Sequence, residues 1–132
     1  MRFATMLVSA LCLPLVLAAQ QASTKDVSGV WLGTLVAGPQ NLRLQLQLHT
    51  GANGTAGCAL DSLDQQAFGI ACILTVKGDL VEVSVPAVAG GWKGTLAADG
   101  LTLTGTWHQG ADLPLAFTRQ KAAILRVAPA QP

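Results

Sequence analysis

The feature that most constrains the fold of this chain is a leucine at every second position over one continuous stretch. The leucines are Leu42, Leu44, Leu46 and Leu48, and the residues that follow each of them are Arg43, Gln45, Gln47 and His49. A β-strand points successive side chains to opposite faces of a sheet, so this stretch predicts a strand with one apolar and one polar face. We expect the polar face to lie in water.

The same alternation recurs in later stretches that begin at Val81, Leu101 and Leu113. Turn-forming residues, mostly Gly, Pro, Asn and Asp, separate the apolar stretches at short intervals. These signals predict strands over residues 28–37, 41–49, 55–60, 69–76, 79–86, 91–97, 101–108 and 112–119. Because the links are short, consecutive strands must be antiparallel neighbours.

A small eight-stranded antiparallel up-and-down β-barrel is the all-β architecture that fits these strands best, because closing the sheet removes both of its edges. The positions expected to face inward are all apolar: Leu42, Leu44, Leu46, Leu48, Val81, Val83, Val85, Trp92, Leu96, Leu101, Leu103, Trp107, Leu113, Leu115 and Phe117. An interior of this size is either filled by side chains or holds one small ligand. The strand over 28–37 is apolar on both faces, which leaves the direction of Trp31 open. Residues 122–127 or a partner could cover its outer face.

Residues 1–19 have the layout of a secretory signal peptide. Arg2 supplies the positive charge, an uncharged apolar stretch follows from Phe3, and the small residues Ala18 and Ala19 precede polar glutamines. A retained membrane anchor is the alternative, but the apolar stretch is short for a span and Pro14 interrupts it. We therefore expect a bacterial periplasmic or secreted protein with no membrane span after cleavage. The remaining divisions are an extension over 20–27, the barrel over 28–119, and a tail or short helix over 120–132.

Cleavage would remove Cys12 and leave Cys58 and Cys72. Two cysteines in an exported chain most often form a disulfide, although two buried reduced thiols are the alternative. A metal site is less favoured, because the sequence has no CxxC motif and no histidine near either cysteine. We expect no metal and no cofactor.

The charge of the chain gives no sign of a nucleic-acid partner. The whole sequence carries a formal charge of +1, and removal of Arg2 with the signal peptide leaves equal numbers of basic and acidic residues. No basic stripe is present, so we expect no binding to nucleic acid. His49 and His108 are both expected to point outward from strands that are not neighbours, which disfavours a metal pair or a catalytic base. The common hydrolase and nucleotide-binding motifs are absent, and we expect no enzyme activity.

The loop over residues 61–69 is the best candidate for a functional rim, because it is long and polar and loops carry function. Asp61 and Asp64 could act together or bind Ca²⁺ through their oxygens. More often, such residues hydrogen-bond to nearby backbone and shape the turn. The candidate ligand-binding residues are Asp61, Asp64 and Gln65 of this loop, together with Trp31, Trp92 and Trp107.

Two resemblances add to this interpretation. The sequence Gly29-Val30-Trp31 resembles the G-x-W signature of lipocalins and related calycin barrels. A longer series of segments resembles the small lipocalin-like β-domain that precedes the catalytic domain in secreted bacterial α/β-hydrolases of the serine-hydrolase or peptidase type. Those segments are 29–35, 60–70, 94–96, 103–110 and 113–117. In that family the nucleophile lies in the later domain, so the resemblance implies the barrel and export without hydrolase activity. Cys58 and Cys72 are additions to the pattern.

Two function classes follow from these observations. The first is an exported, non-catalytic accessory or interaction domain that acts on a partner protein in the cell envelope, which predicts a filled barrel and an exposed apolar patch. The alternative is a lipocalin-like carrier of a small apolar ligand, which predicts a cavity of about a few hundred Å³ that opens near residues 61–69. An enzyme in its own right would depend on Asp61 and Asp64 alone.

Overall fold

The computed structural model describes residues 26–51 and 56–126, which form nine strands and a single-turn 3₁₀ helix, Pro86–Val88. The strands are β1 (Gly29–Ala37), β2 (Gln40–Thr50), β3 (Ala56–Ser62), β4 (Ala67–Ala71), β5 (Ile73–Lys77), β6 (Leu80–Val85), β7 (Gly90–Leu96), β8 (Thr102–Gln109) and β9 (Ala111–Gln120). The predicted signal peptide over 1–19 lies outside the described residues. Within the described ranges, no helix has the length and apolar character needed to cross a membrane.

The strands form one antiparallel meander that curls into a nearly closed barrel, which confirms the predicted fold class. Their order across the sheet is β4-β3-β2-β1-β9-β8-β7-β6-β5, so the first and last strands of the chain are neighbours. The count of nine instead of eight has a local cause. The strand predicted over 69–76 is split at Cys72, and its first half (β4) pairs with β3 while its second half (β5) pairs with β6. One bent segment therefore joins the two ends of the sheet.

A disulfide between Cys58 and Cys72 fastens this bend, as the cysteine count predicted. The two Cα atoms lie 5.0 Å apart, and the Cys72 backbone N–H donates a hydrogen bond of 3.3 Å to the Cys58 carbonyl oxygen. Because Cys58 belongs to β3 and Cys72 separates β4 from β5, the bridge lies at the seam where the barrel would otherwise be open. The covalent bond thus holds the seam together.

The barrel interior matches most of the predicted inward positions. The fully buried ones are Leu44, Leu46, Leu48, Val81, Val83, Val85, Trp92, Leu96, Leu103, Trp107, Leu115 and Phe117. Leu42 and Leu113 are half-buried. The prediction for Leu101 was wrong: its side chain is 53% exposed, because it lies in the turn before β8 and not in the strand. Trp31, whose direction was open, points inward and has no exposed surface.

Two glycines make room for the largest side chain of β7. The Trp92 indole lies over Gly94 and Gly105, which are register partners on β7 and β8. A Cβ atom added at Gly105 would lie 2.7 Å from Trp92 Cζ2 and 2.2 Å from the Lys93 carbonyl oxygen. The Trp92 ring also packs edge-on against Phe117, and its Nε1–H donates to the Leu115 carbonyl oxygen at 2.9 Å. Packing of the Trp92 ring therefore explains why glycine occupies positions 94 and 105.

Trp31 and Arg119 join the first strand to the last. The Arg119 guanidinium carbon lies 4.3 Å from the centre of the Trp31 ring, a cation–π contact. Its nitrogens donate to the carbonyl oxygens of Asp26, Ser28 and Gly100. Trp31 is also held by its Nε1–H, which donates to the Val27 carbonyl oxygen at 2.9 Å. These contacts plug the end of the barrel where β1 begins and β9 ends, which we call the closed end.

The C-terminal segment covers part of the outer surface that was predicted to face water. Residues 121–126 form no helix, and Val127 lies outside the described residues. Gln45 was predicted to lie in water, yet its side chain is 1% exposed. The Ile124 backbone N–H donates to Gln45 Oε1 at 2.7 Å, and Gln45 Nε2 donates back to the Ile124 carbonyl oxygen at 3.0 Å. The segment thus covers β2, whereas Val36 on the outer face of β1 stays 58% exposed.

Replacing Gly105 by alanine should destabilise the barrel, because the new methyl group would overlap both Trp92 and the backbone of β7. We expect a loss of about 1–3 kcal/mol in the free energy of unfolding, measured by urea denaturation. Gly57→Ala is the matched control, since the nearest atom to its added Cβ is His49 Cβ at 3.5 Å. Equal effects of the two substitutions would contradict this account of the glycines.

Removing the disulfide should also lower stability. The bridge joins residues separated by 14 positions, and the chain-entropy account gives about 3 kcal/mol for a loop of that size. The double variant Cys58→Ala, Cys72→Ala should therefore unfold at a lower urea concentration than the oxidised protein. Wild-type protein treated with a reductant should behave in the same way, and an unchanged midpoint in both would disprove the contribution.

Candidate functional site

The end of the barrel opposite the closed end is hollow. Four connections surround it, over residues 37–40, 62–67, 86–90 and 109–111. We call it the cavity end. A cavity of about 190 Å³ opens there between β1–β4 on one side and β8 on the other.

Apolar side chains form most of the cavity wall. The lining residues are Leu35, Leu42, Leu44, Leu60, Ile70, Val88 and Trp107, with the polar residues Ser62, Gln65 and Gln109. The strand residues among them share the inward parity of the core, so the cavity is a continuation of the barrel interior. Gln65 and Gln109 are exposed, which places the polar part of the lining at the mouth. Among these lining residues none carries a formal charge.

An ion pair fixes the loop over 62–67 against β2. The Arg43 side chain donates to Asp64 through Nη2 at 2.8 Å and through Nε at 3.1 Å, and the Arg43 backbone N–H donates to the same carboxylate at 2.7 Å. These hydrogen bonds from Arg43 hold the pKa of Asp64 below its ordinary value of 3.8. A further hydrogen bond runs from the Leu63 N–H to the Arg43 carbonyl oxygen. The loop is thus held at its middle.

Asp61 anchors the same loop from the outer face of β3. Its side chain is 1% exposed and accepts three hydrogen bonds of 2.8 Å. The donors are Gln45 Nε2, Gln47 Nε2 and the backbone N–H of Gly69, in the middle of β4. Gly69 has a φ of +71°, a conformation that glycine adopts without strain. The buried carboxylate therefore connects β2, β3 and β4 just below the rim.

The six candidate ligand-binding residues separate into three groups. Trp107 and Gln65 line the cavity, whereas Trp31 and Trp92 belong to the packed core. The two loop aspartates do not line the cavity, and each carboxylate is engaged by a different partner on β2. Their hydrogen bonds hold the loop in place. This is the structural role that the sequence analysis gave as the alternative to ligand binding. Within the described ranges, no group of three or more side chains could hold a metal ion.

The polar side chains at the mouth are bonded to one another through their oxygens. The Ser62 hydroxyl donates to Gln65 Oε1 at 2.6 Å, and Trp107 Nε1–H donates to Gln109 Oε1 at 3.1 Å. Gln109 Nε2 donates to the Val88 carbonyl oxygen at 3.2 Å. The first contact lies within the loop over 62–67, and the other two join β8 to the 3₁₀ helix, so hydrogen bonds order the polar side chains on both sides of the mouth.

Sequence reasoning missed Gln109 and the partner of His108. His108 is exposed, as predicted, and its Nδ1 lies 2.5 Å from Asp112 Oδ1. The two residues are register partners across the β8–β9 hairpin, and a strand assignment with the right register could have paired them. The sequence pattern did not identify Gln109. It is the last residue of its strand, and the alternation there does not predict whether the side chain bends across the open end of the barrel.

The ion pair predicts how the loop responds to acid. Because folding lowers the pKa of Asp64, the pair stabilises the folded loop above pH 3.8, and this stabilisation is lost as the pH falls through the lowered value. Arg43→Met should raise the pKa of Asp64 toward 3.8, measured by NMR titration of the carboxyl carbon. Lys93→Met is the control, since its partner is Glu82 on another strand. An Asp64 titration that Arg43→Met does not shift would contradict the assignment.

Comparisons of the chain with protein-family models, with curated proteins and with solved structures gave no match. The resemblance to the β-domain of secreted hydrolases therefore stays a prediction. The site itself is an apolar cavity with polar side chains at its mouth, at one end of a barrel that is plugged at the other.

Proposed function

We propose that this domain binds a small apolar molecule at the cavity end of the barrel. The observation that carries the proposal is the cavity itself, about 190 Å³ in volume and lined chiefly by Leu, Ile, Val and Trp side chains. Concave apolar sites with a few polar groups at the entrance are the usual form of small-molecule sites. This is the carrier alternative from the sequence, and its expected opening near residues 61–69 corresponds to the position of Ser62, Gln65 and Ile70.

The size of the cavity limits the ligand. It is smaller than the roughly 300–1,000 Å³ typical of drug-sized sites. An engineered apolar cavity of about 150 Å³ holds benzene. The barrel therefore accommodates a single ring with a short substituent, or the end of a longer apolar chain whose remainder stays outside the mouth.

The rest of the barrel supports the same function. Trp31, Trp92 and Phe117 fill the closed end and the middle, so a ligand can enter from one side only. The disulfide holds the seam of the barrel closed, and hydrogen bonds order the polar side chains at the mouth of the cavity. Disulfides persist in oxidising compartments, which supports export to the periplasm or the outside, in keeping with the predicted signal peptide. A bound apolar molecule there would be carried or sensed, and no catalytic step is proposed.

A second candidate is the accessory or interaction domain implied by the hydrolase resemblance. The observation that favours it is the exposure of two apolar side chains on the C-terminal segment, Ile124 at 44% and Leu125 at 72%. These residues lie where the resembling proteins continue into a catalytic domain. A hydrolase reading frame next to the gene would favour this role. A gene without a neighbouring hydrolase reading frame would favour the carrier.

Filling the cavity should abolish binding of an apolar probe. We expect α-methylstyrene added to the wild-type protein to shift the methyl NMR signals of Leu44, Leu60 and Ile70, which surround the cavity. Leu42→Trp places an indole at the half-buried mouth position and should remove these shifts.

Thr34→Trp is the matched control, because it adds the same ring to an exposed position on the outer face of β1 and should leave the shifts intact. Absence of any probe-induced shift in the wild-type protein would refute ligand binding. So would equal shifts in the wild type and in folded Leu42→Trp.

A further inference from the structure

The polar side chains at the mouth of the cavity have hydrogen-bonding groups without a protein partner, and these groups indicate which ligands would bind. This inference rests on the proposed function. Gln65, Gln109 and Ser62 are the three polar residues of the lining. Their hydrogen bonds can be counted against what each side chain is able to make. The count shows that a larger share of the amide acceptors than of the amide donors is already used.

Each amide oxygen at the mouth already accepts one hydrogen bond. Gln65 Oε1 accepts from the Ser62 hydroxyl, and Gln109 Oε1 accepts from Trp107 Nε1–H. A primary amide also carries two N–H donors. Gln109 Nε2 uses one of them on the Val88 carbonyl oxygen. In the part of the chain that the structure describes, Gln65 Nε2 has no protein acceptor.

The mouth therefore offers up to three amide N–H donors, whereas each of the two amide oxygens keeps one lone pair. These donors come from two sides of the opening, the loop over 62–67 and the end of β8. A ligand that places an acceptor oxygen at the mouth and an apolar group inside would satisfy them. A hydrocarbon would leave them to water.

Charge narrows the ligand class further. No cationic side chain is among the lining residues, and the nearest arginine of the rim, Arg43, is already paired with Asp64. An anionic head group would lose hydration without gaining a charged partner. The same oxygen in a neutral carbonyl costs far less to desolvate.

We infer that the cavity end is selective for neutral molecules with a carbonyl-type acceptor next to a small apolar group, the acceptor being bound by the amide N–H groups of Gln65 and Gln109. Small ketones, esters, lactones and amides belong to this class. Carboxylates such as fatty acids, and plain hydrocarbons, do not.

Three probes of nearly equal shape test this selectivity on the full mature chain: acetophenone, α-methylstyrene and benzoate. They differ at the carbonyl group, in which the oxygen is replaced by CH₂ in the alkene and the methyl by O⁻ in the acid. We expect acetophenone to bind and to move the side-chain NH₂ proton signals of Gln65 and Gln109 downfield. We expect α-methylstyrene to bind without this shift and benzoate to bind much more weakly than acetophenone.

Gln65→Met provides the quantitative test. Because a ketone is better hydrated than an alkene, the useful comparison is the effect of the substitution on each probe. One lost hydrogen bond should weaken acetophenone about three- to tenfold and leave α-methylstyrene unchanged. Gln66→Met, at the neighbouring exposed position that does not line the cavity, should change neither.

The outcomes separate this inference from the proposed function. If acetophenone and α-methylstyrene both bind at the cavity but Gln65→Met weakens them equally and the NH₂ signals do not move, the selectivity is refuted and ligand binding stands. Benzoate that binds as tightly as acetophenone would also refute the selectivity. If none of the probes binds, both statements fail.

Discussion

The contact between Trp31 and Arg119 supports the join between the first and the last strand, on which the continuous sheet depends. β1 and β9 are paired over only three positions, Val30–Leu32 with Thr118–Gln120, a short ladder to join the two ends of a chain. The guanidinium covers the indole and also donates to the carbonyl oxygens of Asp26, Ser28 and Gly100. One side chain thus connects the N-terminal segment, the β7–β8 turn and the last strand. Because these contacts lie at one end, they plug that end and leave the other free.

The hollow cavity end is a consequence of where the large aromatic rings go. The Trp92 indole extends toward Gly94 and Gly105, away from the start of β7 where the cavity opens. Trp31 is near the start of β1, also at the closed end. At the cavity end the interior is lined by Leu, Ile and Val, which are too short to meet across the barrel, with Trp107 on the wall. The glycines that shape the core therefore also determine where space remains.

The rim is held open by contacts on its outer side. Asp61 ties Gln45 and Gln47 of β2 to Gly69 of β4, and Asp64 ties the middle of the loop to Arg43. The C-terminal segment covers the first of these contacts through Gln45 and Ile124. The two aspartates predicted as candidate binding residues thus support the loop. The side chains that face a ligand are the apolar ones behind them, with Gln65 and Gln109 at the edge.

Much of the fold follows from the sequence because its signals are local. The alternating leucines from Leu42 to Leu48 define one face of a strand, and the two cysteines that remain after the predicted signal peptide predict the disulfide. The errors arise where a distant segment covers a residue, or where a strand begins later than the alternation suggests. The alternation places Gln45 on the face of β2 that was expected to lie in water. The C-terminal segment, 79 residues later in the chain, buries it. Leu101 has the right parity but lies in a turn.

The cavity could not have been predicted, because it depends on rotamers. Inward parity places Leu35, Leu44 and Leu60 in the interior but does not say whether they meet across it. The same limit applies to Gln109, whose role at the mouth comes from the way its side chain turns back onto Trp107 and Val88.

The barrel is plugged at one end and hollow at the other. Diffraction from crystals of the protein under xenon pressure tests this most directly, since xenon enters empty apolar cavities. The account predicts xenon among Leu44, Leu60 and Ile70, and none beside Trp31. A cavity end filled by its own side chains, with no xenon bound there, would contradict it.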